Sequence, residues 1–287
     1  MEDLGDKIAY FRKSKGMSVQ KLAHNLCDDS TIYRLEKGTQ LPRLEILNDI
    51  CLKLEIPFKA LFPFNEDVEK YKKMCRDFTY IGDYLSLELA LDECELILLE
   101  IKSTYSSLEF RKFIDWHRAI LLHKKENKIK EALALLGSLI TLNKCVSELD
   151  VCIANSMGVI HLSNKNNETA LKIYKKIYPI IKKQRVTEDF TLFPRVGYNY
   201  ANTLYKSKRY LDALEIVEDV LHYLEVNHLK YTLGEVYHLI GIINKKLVYL
   251  DDAEIAFENA ILVFTLTNDE NNLERTKKDL KSLRNES

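Results

Sequence analysis

The stretch Tyr198-Asn199-Tyr200-Ala201-Asn202-Thr203-Leu204-Tyr205-Lys206-Ser207-Lys208-Arg209-Tyr210-Leu211-Asp212-Ala213-Leu214-Glu215-Ile216-Val217 decides the fold. A small residue, Ala201, is followed twelve positions later by Ala213, with Val217 and Val220 four and seven positions beyond. The same register recurs as Gly158, Ala170, Tyr174 and Ile177, and again as Gly241, Ala253, Phe257 and Ala260. A small residue on one helix lets the Ala-bearing face of the next approach closely. Neighbouring pairs then bury what one pair cannot, which predicts a stacked all-α array.

Working outward, Asn127-Lys128-Ile129-Lys130-Glu131-Ala132-Leu133 keeps the turn and the start of a second helix, and Gly82-Asp83-Tyr84 before Leu87 is a more degenerate copy. Residues 65–287 hold room for about six units of roughly 34 residues. The steps from Ala132 to Ala170, Ala213 and Ala253 are 38, 43 and 40 residues, so helices or turns exceed that consensus. Residues 269–284, polar with Leu273, Leu280 and Leu283 on one stripe, are expected to form a capping helix. The turns Lys208 to Ala213 and Leu250-Asp251-Asp252-Ala253 resemble the tetratricopeptide repeat. That resemblance implies a right-handed superhelical array whose first helices line a concave face. Positions flanking Gly158, Ala201 and Gly241 then mark Asn155, Tyr198, Asn199, Asn202, Tyr205, Lys206, Tyr237, His238 and Lys245 as inner-face candidates. Asn offers a donor and an acceptor, matching the backbone of an extended peptide without demanding sequence. Lys206 and Lys245 suit a carboxylate. The competing reading has Asn155 and Asn199 bonding neighbouring helices, and Tyr198, Tyr205 and Tyr237 serving as core.

Composition narrows the classes. Nine Gly and five Pro in 287 residues are few, against average usage of about 7% and about 5%. This disfavours a turn-rich β sandwich and a fold built on Gly-rich phosphate loops. A hydrophobic content of 46% excludes a mostly disordered chain. No apolar run approaches the roughly 18 residues of a membrane helix, and Met1-Glu2-Asp3 lacks the charge of a signal peptide, so a cytoplasmic protein without membrane partners is expected. The six cysteines contain no Cys-x-x-Cys, and no two of the seven histidines are four apart. No metal, no cofactor and no enzyme activity is expected, since nucleophile triads and phosphate-binding loops are also missing from the sequence.

The first 64 residues differ from the rest. Three of the five prolines (Pro42, Pro57, Pro63) punctuate short helices expected at 3–15, 18–25, 29–37, 43–54 and 58–62, and the boundary is placed at Phe62-Pro63-Phe64-Asn65. Ser18 is the expected N-cap of the second helix, and Gly38 the left-handed stop of the third. Ile8, Phe11, Leu22, Ala23, Leu26, Ile32, Leu35, Leu44, Leu47, Ile50 and Leu54 can close one small core around a turn at Leu26-Cys27-Asp28. That is the helix-turn-helix arrangement. Gly5-x-x-Ile8-x-x-x-Arg12, Met17 to Ala23, Ser30 to Gly38, Pro42 and Leu54-x-Ile56-Pro57 resemble the Cro/C1-type repressor family. The resemblance implies that Gln20 bonds a phosphate or base edge and that Ser30, Thr31, Tyr33 and Arg34 face the major groove. It further implies that Lys37, Thr39 and Arg43 touch phosphates. Arg34 could instead pair with Glu36 or another carboxylate, and Tyr33 could pack on the helix flank. Asp28 and Asp29 depart from the family pattern; they suit a helix N-terminus and could accept from cytosine, yet they stand where phosphates approach. Ten Lys/Arg against nine Asp/Glu over residues 1–64 give a net charge too small for tight monomeric binding, which points to two copies acting on half-sites about 34 Å apart.

Together the two segments resemble the PlcR-like (RRNPP-type) peptide-responsive quorum-sensing transcriptional regulators. The likeness is sharpest over Leu22 to Phe62, at Ala154-Asn155, at Tyr198 to Ala201 and at Tyr210 to Leu214. It implies a homodimer that binds operator DNA, a short signalling peptide held through Asn155 and Asn199, and residues 63–78 transmitting the change between segments. The alternative is a protein-interaction scaffold with a vestigial or weak DNA-binding head, favoured by the Asp28–Asp29 pair.

Overall fold

A computed structural model describes residues 2–56, 66–101, 104–145, 147–183 and 189–286, and no strand occurs among them. Two compact units divide the chain, residues 1–70 and 71–287. The first contains α1 (Glu2–Ser14), α2 (Val19–Ala23), α3 (Asp29–Glu36) and α4 (Leu44–Leu54). The helix expected at 58–62 and the boundary at 62–65 lie outside the described residues. Ser18 caps α2 as expected, its hydroxyl accepting from the Lys21 N–H at 3.1 Å. The second helix is shorter than its periodicity predicts because Asn25 turns left-handed at φ 62°, and the Leu26 and Cys27 N–H groups close back on the Ala23 carbonyl. Gly38 adopts φ 66° just past α3, the conformation a residue without Cβ reaches at least cost.

Ile8, Leu22, Ala23, Ile32, Leu35, Leu47, Ile50 and Leu54 are buried together, joined by Cys51, with Phe11 and Leu26 packed at the edge. The Leu44 side chain lies outside the described residues. Gly5 explains itself by contact: a Cβ there would stand 2.3 Å from the Leu35 carbonyl oxygen, so α1 and α3 approach backbone to backbone. Beside that contact Arg12 Nε and Nη2 donate to Glu36 Oε1 and Oε2 at 2.6 and 2.8 Å, and Nη1 donates to the Met17 carbonyl at 2.8 Å. This paired fork is largely shielded from water and pins the second turn-motif helix to α1.

The second unit is an array of helix pairs: α5 (Glu66–Ile81) with α6 (Tyr84–Glu100), α7 (Thr104–Lys124) with α8 (Ile129–Leu139), α9 (Glu148–Ser163) with α10 (Asn167–Lys183), α11 (Leu192–Lys206) with α12 (Tyr210–Val226), and α13 (Leu233–Leu247) with α14 (Leu250–Thr267). Helix α5 begins before the division between the units and carries most of the expected 63–78 connection. A short 3₁₀ turn, Leu142–Lys144, follows α8 and accounts for extra length between pairs. The last helix, α15 (Glu270–Glu286), lays Leu280 and Leu283 on Ala253 and Phe257 of α14, as the polar stripe pattern predicts.

Every pair turns at the same place. Gly82, Asn127, Lys165, Lys208 and Val248 each stand two residues before the second helix, and each has φ between 55° and 77°. Only the first is Gly, and Val248 is β-branched, so these five turns hold four L-residues in a conformation that disfavours them. The small-residue register is also steric. A Cβ on Gly158 would meet the Tyr174 ring at 2.6 Å, and one on Gly241 would meet Phe257 at 2.6 Å. At the equivalent places the middle pair carries Ala201 and Val217, both fully buried. A larger first residue is thus matched with a smaller second one, as close packing of the two helices requires.

Candidate nucleic-acid interface and ligand cavity

The helix-turn-helix presents a polar face. Gln20, Ser30, Tyr33, Arg34, Lys37, Thr39 and Arg43 are all exposed. Arg34 does not use Glu36, whose carboxylate is taken by Arg12; its Nη1 donates to Gln40 Oε1 at 3.2 Å. Tyr33 is 59% exposed rather than packed on the flank, with the Lys37 ammonium 5.9 Å from its ring centroid. Thr39 is bound locally, its hydroxyl donating to the Arg34 carbonyl at 3.0 Å. Thr31 is half-buried. Asp28 occupies the N-cap position of α3 without a capping hydrogen bond, and both it and Asp29 are exposed.

In the repeat unit, residues of α5, α7, α8, α9 and α11 and of the segment before α13 surround a cavity of about 480 Å³. Asn155 on α9 and Asn199 on α11 meet there, the Asn199 amide donating to Asn155 Oδ1 at 3.0 Å, which is the bond between neighbouring helices that the competing reading expects, here within a cavity. Asn155 is buried, and its backbone carbonyl accepts from the Tyr174 hydroxyl at 3.4 Å, so α10 fixes its place from behind. Ser156 is held by the Trp116 indole, whose Nε1 donates to its Oγ at 2.8 Å. Trp116 in turn meets the Phe113 ring edge to face, and His117 lies tilted against it with the centroids 4.2 Å apart.

His117 is fully buried, and the Phe113 carbonyl lies 3.0 Å from its Nδ1. Burial pushes its pKa down to about 3, so the neutral ring donates from Nδ1 and keeps a lone pair on Nε2. That Nε2, Arg76 Nε and Thr79 Oγ1 are buried without a hydrogen-bond partner among the described residues, and all three residues line this cavity. Arg195 is anchored by Asp189 at 2.9 Å. Burial pushes the Asp189 carboxyl up, but the Arg195 charge and two Thr191 hydrogen bonds outweigh it and hold the group below the usual carboxylate range. At the mouth the Tyr80 and Tyr231 rings pack 5.6 Å apart, joining α5 to the segment before α13.

Of the nine inner-face candidates, the cavity gathers Asn155 and Asn199. The others lie elsewhere in the array. His238 Nε2 faces Asp279 of α15 at 2.9 Å, and Lys245 donates to Ser282 of the same helix at 2.9 Å. Tyr198 and Tyr205 sit near Arg275 of α15, and Tyr205 packs on Tyr210. The Tyr237 hydroxyl donates to Glu225 at 3.3 Å; Asn202 is half-buried and Lys206 exposed. The capping helix therefore engages the later end of the face that the repeat register marks. Sequence reasoning missed Arg76, Trp116, His117, Arg195 and Tyr231. A signal existed for one of them: fifteen residues before Ala132 stands His117, the place held by Asn155, Tyr198 and His238 before Ala170, Ala213 and Ala253.

The fold and the cavity define a helix-turn-helix unit joined to a helical-repeat binding unit. A helix-turn-helix profile matches residues 8–61, and the profile of the RNPP family C-terminal domain matches residues 92–278. The chain belongs to the RNPP family. Among solved structures it is similar to PlcR of Bacillus thuringiensis in complex with the peptide PapR7 and DNA, at 21% identity and TM-score 0.76, covering 98% of this chain and 99% of that one. It is also similar to ComR from S. thermophilus in complex with DNA and its signalling peptide ComS, at 16% identity and TM-score 0.58 over 98% and 99% of the chains. The SHP pheromone receptor Rgg2 of Streptococcus dysgalactiae matches at 16% identity and TM-score 0.56 over 99% and 100%. No curated protein matches the sequence.

Proposed function

We propose that this RNPP-family chain is a cytoplasmic, dimeric, sequence-specific transcriptional regulator controlled by a short signalling peptide bound in its repeat unit. The observation that carries the reading is the Asn155–Asn199 pair, two amides from successive repeats meeting at 3.0 Å in a partly buried cavity. Each has donor and acceptor capacity left for a peptide backbone. The DNA-binding head is assigned to residues 1–64 and the ligand-binding unit to residues 65–287. Ser30, Tyr33 and Arg34 project from α3 toward base edges, with Gln20, Lys37, Thr39 and Arg43 on flanking phosphates. Thr31 contributes less, because it is half-buried.

Control requires differential affinity: the peptide must favour one arrangement of the two heads over the other. Complexes of PlcR and ComR with both DNA and peptide support this reading for a chain of the same fold. The test selects DNA from a random pool with the full-length protein, then measures its affinity against salt with and without peptides. A steep log–log loss of affinity with salt is expected, because phosphate neutralisation releases counterions. Asn199→Ala should weaken peptide binding about tenfold or more while leaving DNA selection intact. Failure to select any DNA sequence would favour the scaffold reading; unchanged peptide affinity in the variant would remove Asn199 from the site.

A further inference from the structure

We propose that the ligand presents a carboxylate to this cavity, received by Arg76 with Lys124 beside it, and an adjacent N–H or O–H that donates to His117 Nε2. The inference rests on the peptide reading above and specifies the chemistry of what is bound. Its first support is the charge of the lining. Arg76, Lys124 and Arg195 contribute cations, and no Asp or Glu is among the described lining residues. Asp189 already answers Arg195, which leaves Arg76 and Lys124 as the charges that the cavity itself does not balance. Low-dielectric walls concentrate such a field and favour an anion over a neutral group.

Its second support is the set of buried polar atoms. Arg76 Nε is a donor with no acceptor among the described residues, and its guanidinium lies 5.6 Å from the Phe113 ring centroid. Thr79 Oγ1 lacks a partner on the same helix. His117 Nε2 is the complementary acceptor. Burial keeps that imidazole neutral at pH 7, so it accepts from a ligand donor and adds no positive charge. A buried donor left unmade is costly, and a charge-assisted hydrogen bond from Arg to a carboxylate is the strong way to satisfy it. A ligand with only apolar groups would leave all three atoms unsatisfied, and one with only cationic donors would still leave Arg76 Nε without an acceptor.

The carboxylate could be a peptide's C-terminus or an Asp or Glu side chain. The experiment separates these with four pools of random synthetic heptapeptides. Each pool ends in a free acid or an amide, and each either contains Asp and Glu or replaces them with Asn and Gln. Full-length protein is incubated with each pool, and retained peptides are quantified by mass spectrometry. Pools carrying a carboxylate should be retained about tenfold or more above the amidated, Asp- and Glu-free pool. The arm that carries the excess identifies the source. Arg76→Gln should collapse that preference toward the neutral pool, and Arg76→Lys should keep part of it, with thermal melts confirming that both fold. If Arg76→Gln does not fold, Lys124→Gln and the pool comparison on the unaltered protein decide. Equal retention of all four pools overturns the carboxylate assignment alone. Retention of none overturns the peptide reading itself, and this inference with it.

Discussion

His117 shows how one side chain links the cavity to stability. Its ordinary pKa of 6.5 falls to about 3 through burial. At pH 7 the ring is neutral in folded and unfolded chains alike. Below about 6.5 the unfolded chain takes up a proton that the folded chain refuses until near pH 3. Stability therefore falls as pH falls through that window, by up to about 1.4 kcal/mol per pH unit from this group. Burial also lowers His123, His161 and His238, adding to the same slope. In urea titrations at pH 6.5, 5.5 and 4.5, His117→Gln should show a shallower loss of stability than the unaltered chain. An identical slope would mean that this imidazole is hydrated. The residue was legible only through the repeat register, since a lone His within α7 carries no chemical signal of its own.

Among the helices, glycines divide by what surrounds them. Gly158 of α9 faces the Tyr174 ring of α10 with no room for a methyl group, whereas Gly137 of α8 has nothing within 4 Å of where a Cβ would stand. The same substitution should then have opposite signs. Gly158→Ala overpacks the α9–α10 contact and should destabilise by about 1–3 kcal/mol. Gly137→Ala removes the entropic penalty of a helical Gly and should stabilise by about 0.5–1 kcal/mol. Denaturant midpoints of the two variants check both, and a shared sign would contradict the packing described. The register of Gly158, Ala201 and Gly241 was readable because twelve-residue spacing is a local property of two helices and one turn. That the aromatic Tyr174 and Phe257 fill the space left by the glycines was not, because it depends on the interhelical distance.

Across the repeat unit, stability is a chain of neighbour contacts that must be closed at its end. Helix α15 performs that closure with Leu280 and Leu283 on Ala253 and Phe257, and with Asp279 and Ser282 holding His238 and Lys245. A chain ending before Glu270 should uncover this apolar surface of α14, lowering the melting temperature and driving association visible by light scattering. A truncated chain that stays monodisperse with an unchanged melt would show the cap to be dispensable. The same closure explains why His238 and Lys245, two of the seven inner-face candidates outside the cavity, are taken up by the last helix. The repeat register treats all pairs as equal, while the final helix, with a pattern unlike theirs, lies against the later pairs.

Hydrophobic spacing, turn residues and caps settled the helix-turn-helix and the repeat register, because each depends on residues within about one helix pair of one another. The binding chemistry did not lie within that reach. Arg76, His117, Asn155 and Asn199 come from four different helices, and nothing in their local sequence says that they share a cavity or that their polar atoms go unanswered. Stacking the pairs brings them together, so the charge and hydrogen-bonding character of that hollow exists only in the packed chain.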